Sequence, residues 1–532
     1  MNRYFTVHIF LVTFLLSGIL SLRTAYGQLQ QSDRLEIPAA SFSNEQFEVI
    51  SLGEEGLLSV IRGDPFSHRS EQWQFVRYDT TMTAVWTNAY KVDFRYIPVM
   101  AYKAEHFGYW LFAEPDTDHF LFLQLNFGDG TIDIHKGNLL AGVDVQQFKV
   151  LGSKALVSGY YRSRPVVLVH SFFDHTTRVL PGLYEKNTEL NNVDINEQEG
   201  YINVITYAYR KKNCVFEIKT YNYEGKLLKK TSLSDEKYSF ISGQIVPLNP
   251  DDSYLIGNYS VGCTPYSQGL YVTHVSHNEP EKPQFIEFSE LQNFFNYMKP
   301  KRREKMKERI GKRKSMGKEN RFRYRLLVHE LIQSEDEIVL VAEVYYPNQK
   351  STYSPIVSSG LSRPYAARSI EGYRYTHAIV CAFDKNGKFK WDNCIPIKDL
   401  TSFDLQEMVQ VTKVDDYFVL AYPQEGEIHT EVISRNKVVV ESEKFKIDTK
   451  REGMKVLNDD DSYLLPWYGQ YFIAYGMQRL GASSASLGKE VFYVNKLNYK
   501  TEDIGKVNDD GSFEVLGRLD NSDIRGCNLL VV

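Results

Sequence analysis

A turn signature that returns at a nearly constant interval constrains the fold of this chain more than any other feature. Its anchors in the first half are Asp79, Asn126, Asp174 and Asn222, at spacings of 47, 48 and 48 residues. It returns at Phe383-Asp384-Lys385-Asn386-Gly387-Lys388, and a weaker copy follows at Ser434-Arg435-Asn436-Lys437. Each copy is rich in residues that tolerate a positive φ and is flanked by β-prone residues, so each predicts a turn between two strands.

Each period of the repeat contains four strand-like runs. In the second period they span residues 96–103, 106–113, 119–125 and 131–135. In the sixth period, residues 338–342 are apolar without interruption, which predicts a strand buried on both faces. The 532 residues include 36 Tyr and 31 Phe, which suit pleated, half-buried surfaces. The sequence therefore predicts an all-β chain of four-stranded antiparallel units.

This pattern resembles the β-propeller superfamily at the level of the blade, over about residues 35–500. The resemblance implies eight blades, which would begin near residues 47, 96, 146, 189, 239, 325, 403 and 453. Seven blades and a pair of β-sandwiches are the alternatives, although sandwiches would not require near-constant spacing. There is no repeated Trp-Asp ending and no sialidase-type Asp box. The resemblance therefore names no specific family and implies no particular activity.

The two ends of the repeat region are predicted to meet. The last period lacks an outer strand after residues 492–499, whereas residues 35–39 form one strand too many at the start. Placing this N-terminal strand at the outer edge of the last blade closes the propeller and hides both edges, and Pro38 fits an edge strand. The propeller would then span residues 28–500, and residues 501–532 would be a C-terminal tail of unknown structure.

Residues 1–27 are predicted to be a cleavable signal peptide. Arg3 precedes a mostly apolar stretch at residues 5–22, and Ala25-Tyr26-Gly27 offers small residues where signal peptidase cuts. The mature chain would begin at Gln28 and lie in the periplasm or outside the cell. No later stretch is long and apolar enough to cross a membrane, so we expect no transmembrane segment in the mature chain.

An intensely basic insertion, residues 289–324, separates the fifth and sixth blades. Between Lys299 and Arg325 there are 14 Lys or Arg and three Glu, a net charge of +11, which leaves −16 for the rest of a chain whose formal charge is −5. The candidate binding residues here are Arg302, Arg303, Lys305, Arg309, Lys312 and Arg313. Because such self-repulsion is costly, we interpret the insertion as a site for an anionic partner. A solvated helix without a ligand is the alternative.

The insertion is also the segment with helical periodicity. Ser289 and Gln292 have the spacing of a capping box. They are followed by an apolar face at helical spacing, formed by Leu291, Phe294, Phe295 and Met298. Pro300 then allows a second helix to begin and to run to about Met316. The sequence thus predicts two helices in this insertion.

The loop between the second and third strands of the sixth blade, from Tyr346 to Gly372, is unusually long. Its candidate binding residues are Tyr353, Arg363, Tyr365 and Arg368, and Tyr and Arg are typical of binding hot spots. An insertion without function is the alternative. In a four-stranded meander this loop and the connections between blades emerge on the same face. We therefore expect the loop and the basic insertion to form one surface for an acidic protein or an anionic envelope polysaccharide or lipid, with nucleic acid not expected in this compartment.

Five cysteines allow at most two disulfides and leave one thiol over. Cys214 and Cys263 are the predicted disulfide, because each lies at the junction of strands two and three in neighbouring blades. Cys381 and Cys394 share a predicted hairpin. A three-residue turn there would set Cys381 opposite Trp391 and Cys394 opposite Ala378, hence on opposite faces, so these sulfurs are not expected to meet.

No catalytic motif is present. The sequence has no His-Glu-x-x-His, Gly-x-Ser-x-Gly or Walker loop, and it predicts no catalytic residues, no metal and no cofactor. Two classes of function remain open: an exported, non-enzymatic binding or scaffold protein, which the basic face favours, or a propeller hydrolase or lyase that acts on a polysaccharide or other polyanion. Two inward-facing carboxylates about 5–10 Å apart would favour the enzyme.

Overall fold

The computed structural model describes residues 28–39, 45–63, 69–210, 213–249, 252–276, 279–334, 336–352, 367–414, 416–449, 453–482, 488–500, 505–507 and 513–515. The predicted signal peptide, residues 1–27, lies outside them. The chain divides into two compact units, one within residues 1–38, 411–432 and 439–532 and the other within residues 39–410 and 433–438.

The N-terminal strand β1 (Gln28–Pro38) belongs to the last of eight sheets; the first four sheets are simple meanders. The first contains β2 (Gln46–Ser51), β3 (Leu57–Arg62), β4 (Ser70–Tyr78) and β5 (Ala84–Asp93). The second contains β6 (Ile97–Lys103), β7 (Phe107–Ala113), β8 (His119–Asn126) and β9 (Ile132–Asn138). The third contains β10 (Asp144–Leu151), β11 (Lys154–Tyr161), β12 (Arg164–Ser171) and β13 (Thr177–Val179). The fourth contains β14 (Thr188–Asn196), β15 (Tyr201–Arg210), β16 (Asn213–Tyr221) and β17 (Leu227–Leu233).

The fifth and sixth sheets have the same plan, except that two strands share each edge position, the first and the fourth. The fifth contains β18 (Tyr238–Phe240), β19 (Gln244–Pro247), β20 (Asp252–Val261), β21 (Ser267–Ser276), β22 (Glu279–Pro280) and β23 (Gln284–Glu287). The helix α1 (Pro300–Ser315) follows. The sixth contains β24 (Arg325–Val328), β25 (Ile332–Gln333), β26 (Glu337–Thr352), β27 (Ala367–Asp384), β28 (Phe389–Pro396) and β29 (Thr401–Ser402).

The remaining strands complete the repeat. The seventh sheet contains β30 (Gln410–Val414), β31 (Tyr417–Gln424), β32 (Glu427–Ser434) and β33 (Lys437–Lys446). The eighth contains β34 (Lys455–Pro466), β35 (Tyr471–Gly481) and β36 (Lys489–Lys500), with β1 beside β36. A separate hairpin pairs β37 (Gly505–Val507) with β38 (Phe513–Val515).

These sheets confirm the predicted fold class: the chain is an all-β, eight-bladed β-propeller, with one α-helix among its described residues. Seven of the eight predicted blade starts lie within two residues of the first strand of a sheet. The start predicted near residue 403 is wrong, since β30 begins at Gln410. The short strand β29 pairs with β27 and extends the sixth sheet over that stretch.

The predicted closure by the N-terminal strand is also confirmed. β1 pairs antiparallel with β36, with Leu35 opposite Val494 and Ile37 opposite Phe492. Residues 338–342 on β26 are buried on both faces, as their apolar run predicts. In a sheet, such a strand can be apolar at every position because both of its faces are covered.

The first predicted helix of the insertion is wrong. Residues 288–298 form a series of turns, and Ser289 donates its hydroxyl hydrogen to Glu287 at 2.8 Å instead of capping a helix. The backbone N–H groups of Gln292 and Asn293 donate to the carboxylate of Asp392 on β28, at 2.9 and 2.7 Å. A partner 100 residues away in sequence therefore satisfies the donors that a helix would otherwise use, and the local pattern could not reveal it.

The apolar residues of these turns are nevertheless buried. They share one hydrophobic cluster with the fifth and sixth sheets and with the residues after α1; members from the insertion are Phe288, Leu291, Phe294, Phe295, Met298, Ile310, Phe322 and Tyr324. The second predicted helix is confirmed as α1, with Pro300 in its first turn. The insertion is thus packed against the sheets through its turns and presents α1 outward.

The predicted register around Cys381 and Cys394 is wrong by one residue. Cys381 lies opposite Asp392 and Cys394 lies opposite Ile379, because a β-bulge between Ala382 and Phe383 shifts the pairing. The two cysteines therefore lie on the same face of the hairpin, and both are buried. Cys381 takes no part in a disulfide.

Candidate functional site

The helix α1 and the residues after it form two facing walls. Gly317, with φ of 65°, lets the chain reverse after α1, a conformation that glycine adopts without steric cost. Residues 320–324 then return alongside the start of β21. There the Gln268 side chain accepts a hydrogen bond from the Phe322 N–H at 2.8 Å and donates one to the Phe322 carbonyl at 2.9 Å.

Between these walls lies a cleft of about 1030 Å³, which we call the arginine cleft. The helix contributes Arg302, Met306, Arg309, Ile310 and Arg313; the returning segment contributes Asn320, Arg321, Phe322, Arg323 and Tyr324; residues 261–268 contribute Val261, Gly262, Thr264, Tyr266 and Gln268; and Tyr297, Met298 and Tyr346 complete it. Five of these residues are arginines and four are tyrosines. None of the described residues that line the cleft is an Asp or Glu.

The helix sorts its cations by type. Arg302, Arg309 and Arg313 lie on the face toward the cleft, at the i, i+7 and i+11 positions that share one side of a helix. The lysines of α1 are all exposed and do not line the cleft; they are Lys301, Lys305, Lys307, Lys312 and Lys314. Three of the four guanidinium groups of α1 therefore line the cleft, Arg303 being the exception, and none of its ammonium groups does.

The structure divides the six predicted cations of the insertion. Arg302, Arg309 and Arg313 line the cleft, whereas Lys305 and Lys312 lie outside it. Arg303 donates to the side-chain oxygen of Asn296 at 2.8 Å. Arg313 also donates through Nε to the carbonyl of Glu319 at 2.9 Å, so it supports the reversal of the chain as well as lining the cleft.

The side chains of the Tyr and Arg residues predicted for the long loop are not among those that the structure describes. Tyr353, Arg363 and Tyr365 lie outside the described residues, as does the side chain of Arg368. The strand that leads into the loop, β26, does contribute Tyr346 to the cleft. The predicted loop bounds are wrong, because β26 continues to Thr352 and pairs with β27 from Ala367, but Tyr346 does lie beside the basic insertion, as the meander topology predicts.

The sequence interpretation missed two arginines. In the run Arg321-Phe322-Arg323-Tyr324, Phe322 and Tyr324 are buried while Arg321 and Arg323 are exposed. Alternation of apolar and charged residues is the period of an extended segment. This alternation is visible in the sequence, and it predicts an extended segment that buries its aromatic residues on one side and exposes its arginines on the other.

Two tyrosine hydroxyls meet in the cleft. The Oη atoms of Tyr297 and Tyr324 lie 3.0 Å apart, and the ring of His377 stacks on Tyr297 with centroids 3.8 Å apart and planes 4° apart. Burial lowers the pKa of His377 to about 3, so its imidazole is neutral. Burial also raises the pKa of Tyr324, although Arg302 opposes this, and it raises the pKa of Tyr297. Both phenols remain protonated and can donate hydrogen bonds.

Residues 261–268 form a third wall of the cleft, and a disulfide holds this wall in place. Cys263 is bonded to Cys214, with Cα atoms 5.6 Å apart, which is the pair that the sequence predicts. Val261, Gly262, Thr264 and Tyr266, on both sides of Cys263, line the cleft. Because Cys214 begins the third strand of the fourth sheet, the bond ties this wall to the neighbouring blade.

One pair of carboxylates could have favoured the enzyme interpretation. The Nε2 atom of His329 lies 2.9 Å from Glu343 and its Nδ1 atom 3.8 Å from Glu407. Glu343 is fully buried, and the same oxygen accepts hydrogen bonds from the backbone N–H groups of Met408 and Val409 at 2.8 and 2.9 Å. The bonds to this oxygen order the chain between the sixth and seventh sheets, whereas the other carboxylate oxygen, Oε2, is buried without a hydrogen-bond partner.

No group of three or more His, Cys, Asp or Glu side chains among the described residues could hold a metal ion. Within the same residues, no helix has the length and apolar character needed to cross a membrane.

Comparison with known proteins gives only distant likenesses. The chain matches no protein-family model and no curated protein. The crystal structure of polysaccharide lyase Uly1 is 8% identical, with 75% of this chain and 89% of that chain covered and a TM-score of 0.37. A prolyl endopeptidase is 11% identical (81% and 53% covered, TM-score 0.37), and prolyl oligopeptidase B from Galerina marginata is 10% identical (81% and 56% covered, TM-score 0.35). The chain thus spans about half the length of these two peptidases, and at such TM-scores none of the three bears on its function.

Proposed function

We propose that this protein is an exported, non-enzymatic binding protein of the periplasm or cell surface that holds an anionic partner in the arginine cleft. The observation that supports this most is that three of the four arginines of α1 line the cleft while none of its lysines does. A planar guanidinium can form two parallel hydrogen bonds to a carboxylate, phosphate or sulfate, whereas an ammonium acts as a point charge. A helix that served only solubility would have no reason to separate the two.

The charge within the cleft supports the same proposal. Five guanidinium groups line it, and no carboxylate among the described lining residues neutralises them. Like charges held together repel one another, and a bound anion relieves this repulsion while concentrating ligand in the cleft. The disulfide fits an oxidising compartment, which agrees with the predicted export.

The test compares two charge reversals on the same helix. The first variant combines Arg302→Glu with Arg309→Glu in the full chain. Both residues are exposed in the cleft, and among the described residues their side chains form no hydrogen bond to the protein. The control, Lys305→Glu with Lys312→Glu, makes the same change in net charge outside the cleft. Arg303 and Arg313 are left intact because they bond to Asn296 and to the Glu319 carbonyl.

Binding is measured by calorimetry with heparin as the polyanion, at about 0.15 M salt and at low salt. We expect the arginine reversal to abolish binding and the lysine reversal to reduce it only slightly. Equal losses in both variants would show that the field of the insertion, and not the cleft, attracts the anion. Thermal melting of both variants verifies that they are folded.

A further inference from the structure

We infer that the ligand of the arginine cleft is an acidic polysaccharide, a chain of sugar rings that bear carboxylate or sulfate groups. This inference rests on the proposed function and narrows it from any anion to one chemical class. Two features support it: the distance over which the arginines are spread, and the groups that the tyrosines leave available to a ligand.

The arginines are spread too far apart for a ligand with one anionic group. At a rise of 1.5 Å per residue, Arg302 and Arg313 lie about 16 Å apart along the helix axis, with Arg309 between them. On the opposite wall, Arg321 and Arg323 are two residues apart on an extended segment, or roughly 7 Å. A ligand that engages both walls must therefore carry several anionic groups at intervals along its length.

Of the four tyrosines in the cleft, the Tyr297–Tyr324 pair leaves mainly its hydroxyl groups for that ligand. One face of Tyr297 is covered by His377. The ring of Tyr324 packs against Phe294 and Phe322 at centroid distances of 5.1 and 5.9 Å, and Tyr324 is only 6% exposed. In the Tyr297–Tyr324 pair one hydroxyl donates to the other, so one hydrogen and the remaining lone pairs are free for a ligand.

Hydroxyl-rich ligands fit this arrangement better than other polyanions do. Single-stranded nucleic acid binds by stacking bases on open aromatic faces, and the faces of Tyr297 and Tyr324 are used inside the protein. An anionic lipid needs an apolar chamber, yet three of the five apolar lining residues other than the tyrosines, Met298, Ile310 and Phe322, are each less than a tenth exposed. An acidic peptide would satisfy the arginines and would offer amide groups to the tyrosine pair, whereas a polysaccharide offers several hydroxyls on each ring, every one of them both a donor and an acceptor.

The experiment measures binding of the full chain to polyanions of matched charge: polygalacturonate for carboxylated sugars, dextran sulfate for sulfated sugars, polyaspartate and oligo(dT). Neutral dextran is the blank. We expect at least one acidic polysaccharide to bind about tenfold more tightly than polyaspartate and oligo(dT), because each sugar ring adds several hydroxyl groups for the tyrosine pair to the anionic groups that the guanidinium groups bind. Comparison of the first two probes shows which anionic group the cleft prefers.

Tyr297→Phe and Tyr324→Phe test the hydroxyl pair while keeping the rings packed. Each variant should weaken binding of the preferred polysaccharide about fivefold and leave binding of polyaspartate unchanged. The control is Tyr184→Phe, at an exposed tyrosine that does not line the cleft, and it should change the binding of neither polymer. Equal or tighter binding of polyaspartate or oligo(dT), with dependence on Arg302 and Arg309, would overturn the polysaccharide inference and leave the proposed function standing. Failure of every polyanion to bind would overturn both.

Discussion

Cys214 and Cys263 are 49 residues apart in sequence, about one period of the turn signature, and they occupy equivalent ends of neighbouring blades. Their disulfide joins the start of β16 to the loop between β20 and β21. Since that loop supplies one wall of the arginine cleft, the bond links the stability of two blades to the geometry of the candidate site.

Removing this bond should therefore affect both properties. We expect Cys263→Ser to lower the free energy of unfolding by about 2–4 kcal/mol and to weaken heparin binding, because residues 261–266 lose their covalent tie. Urea unfolding and calorimetry measure the two effects, and reduction of the wild-type protein should reproduce both. Reduced stability with unchanged affinity would show that other contacts position this wall.

Asp392 should have a similar dual role. Its carboxylate accepts the N–H groups of Gln292 and Asn293 and so fixes the turns that position Tyr297. We expect Asp392→Ala to destabilise the protein by about 2–4 kcal/mol, since two backbone donors lose their partner, and to weaken polyanion binding. Thermal melting and calorimetry measure these changes. Asp404→Ala, at an exposed aspartate, is the matched control, and a similar loss of stability and binding in that variant would contradict the role of Asp392.

Arg34 should determine how firmly β1 holds the eighth sheet. Its side chain is 3% exposed and lies 2.8 Å from Glu36, donates to Gln478 at 2.7 Å, and lies over the ring of Tyr493. Arg34→Ala removes the cation that lies beside the buried Glu36 carboxylate. We therefore expect the free energy of unfolding, measured in urea, to fall by about 3–5 kcal/mol. Arg34→Lys keeps the charge and should lose less. If the free energy of unfolding of Arg34→Ala were within about 0.5 kcal/mol of the wild-type value, this role would be refuted.

His329 should make stability depend on pH. Burial alone would lower the pKa of His329, but its hydrogen bond to Glu343 and the nearby Glu407 raise the pKa overall. A raised pKa in the folded state means that the stabilisation is fully present below the ordinary value of about 6.5 and is lost as pH rises through the folded pKa. The stability difference between wild type and His329→Gln, from urea unfolding, should therefore shrink from about pH 6 to about pH 9. A difference independent of pH would show that His329 contributes by packing alone.

The repeat, and with it the division into blades, could be predicted from the sequence alone. The spacing of the turn signatures, the four strand-like runs in each period and the unmatched N-terminal strand predicted the eight sheets and the pairing of β1 with β36. Such features follow from local chemistry: turn residues, alternation and uninterrupted apolar runs act over a few positions. The disulfide could be predicted for the same reason, because the repeat places Cys214 and Cys263 at equivalent positions of adjacent blades.

Only the tertiary structure decided which residues of the basic insertion form a site. Local periodicity predicted a helix over residues 289–298, but a carboxylate from β28 holds that stretch in turns. A bulge in the β27–β28 hairpin likewise shifted the predicted register of Cys381 and Cys394 by one residue. The charge of the insertion was evident in the sequence, whereas the separation of its arginines from its lysines, and the meeting of Tyr297 with Tyr324, depend on how the helix, the returning segment and the sheets pack. These contacts join residues distant in sequence, and their geometry is fixed by the shared hydrophobic cluster beneath them.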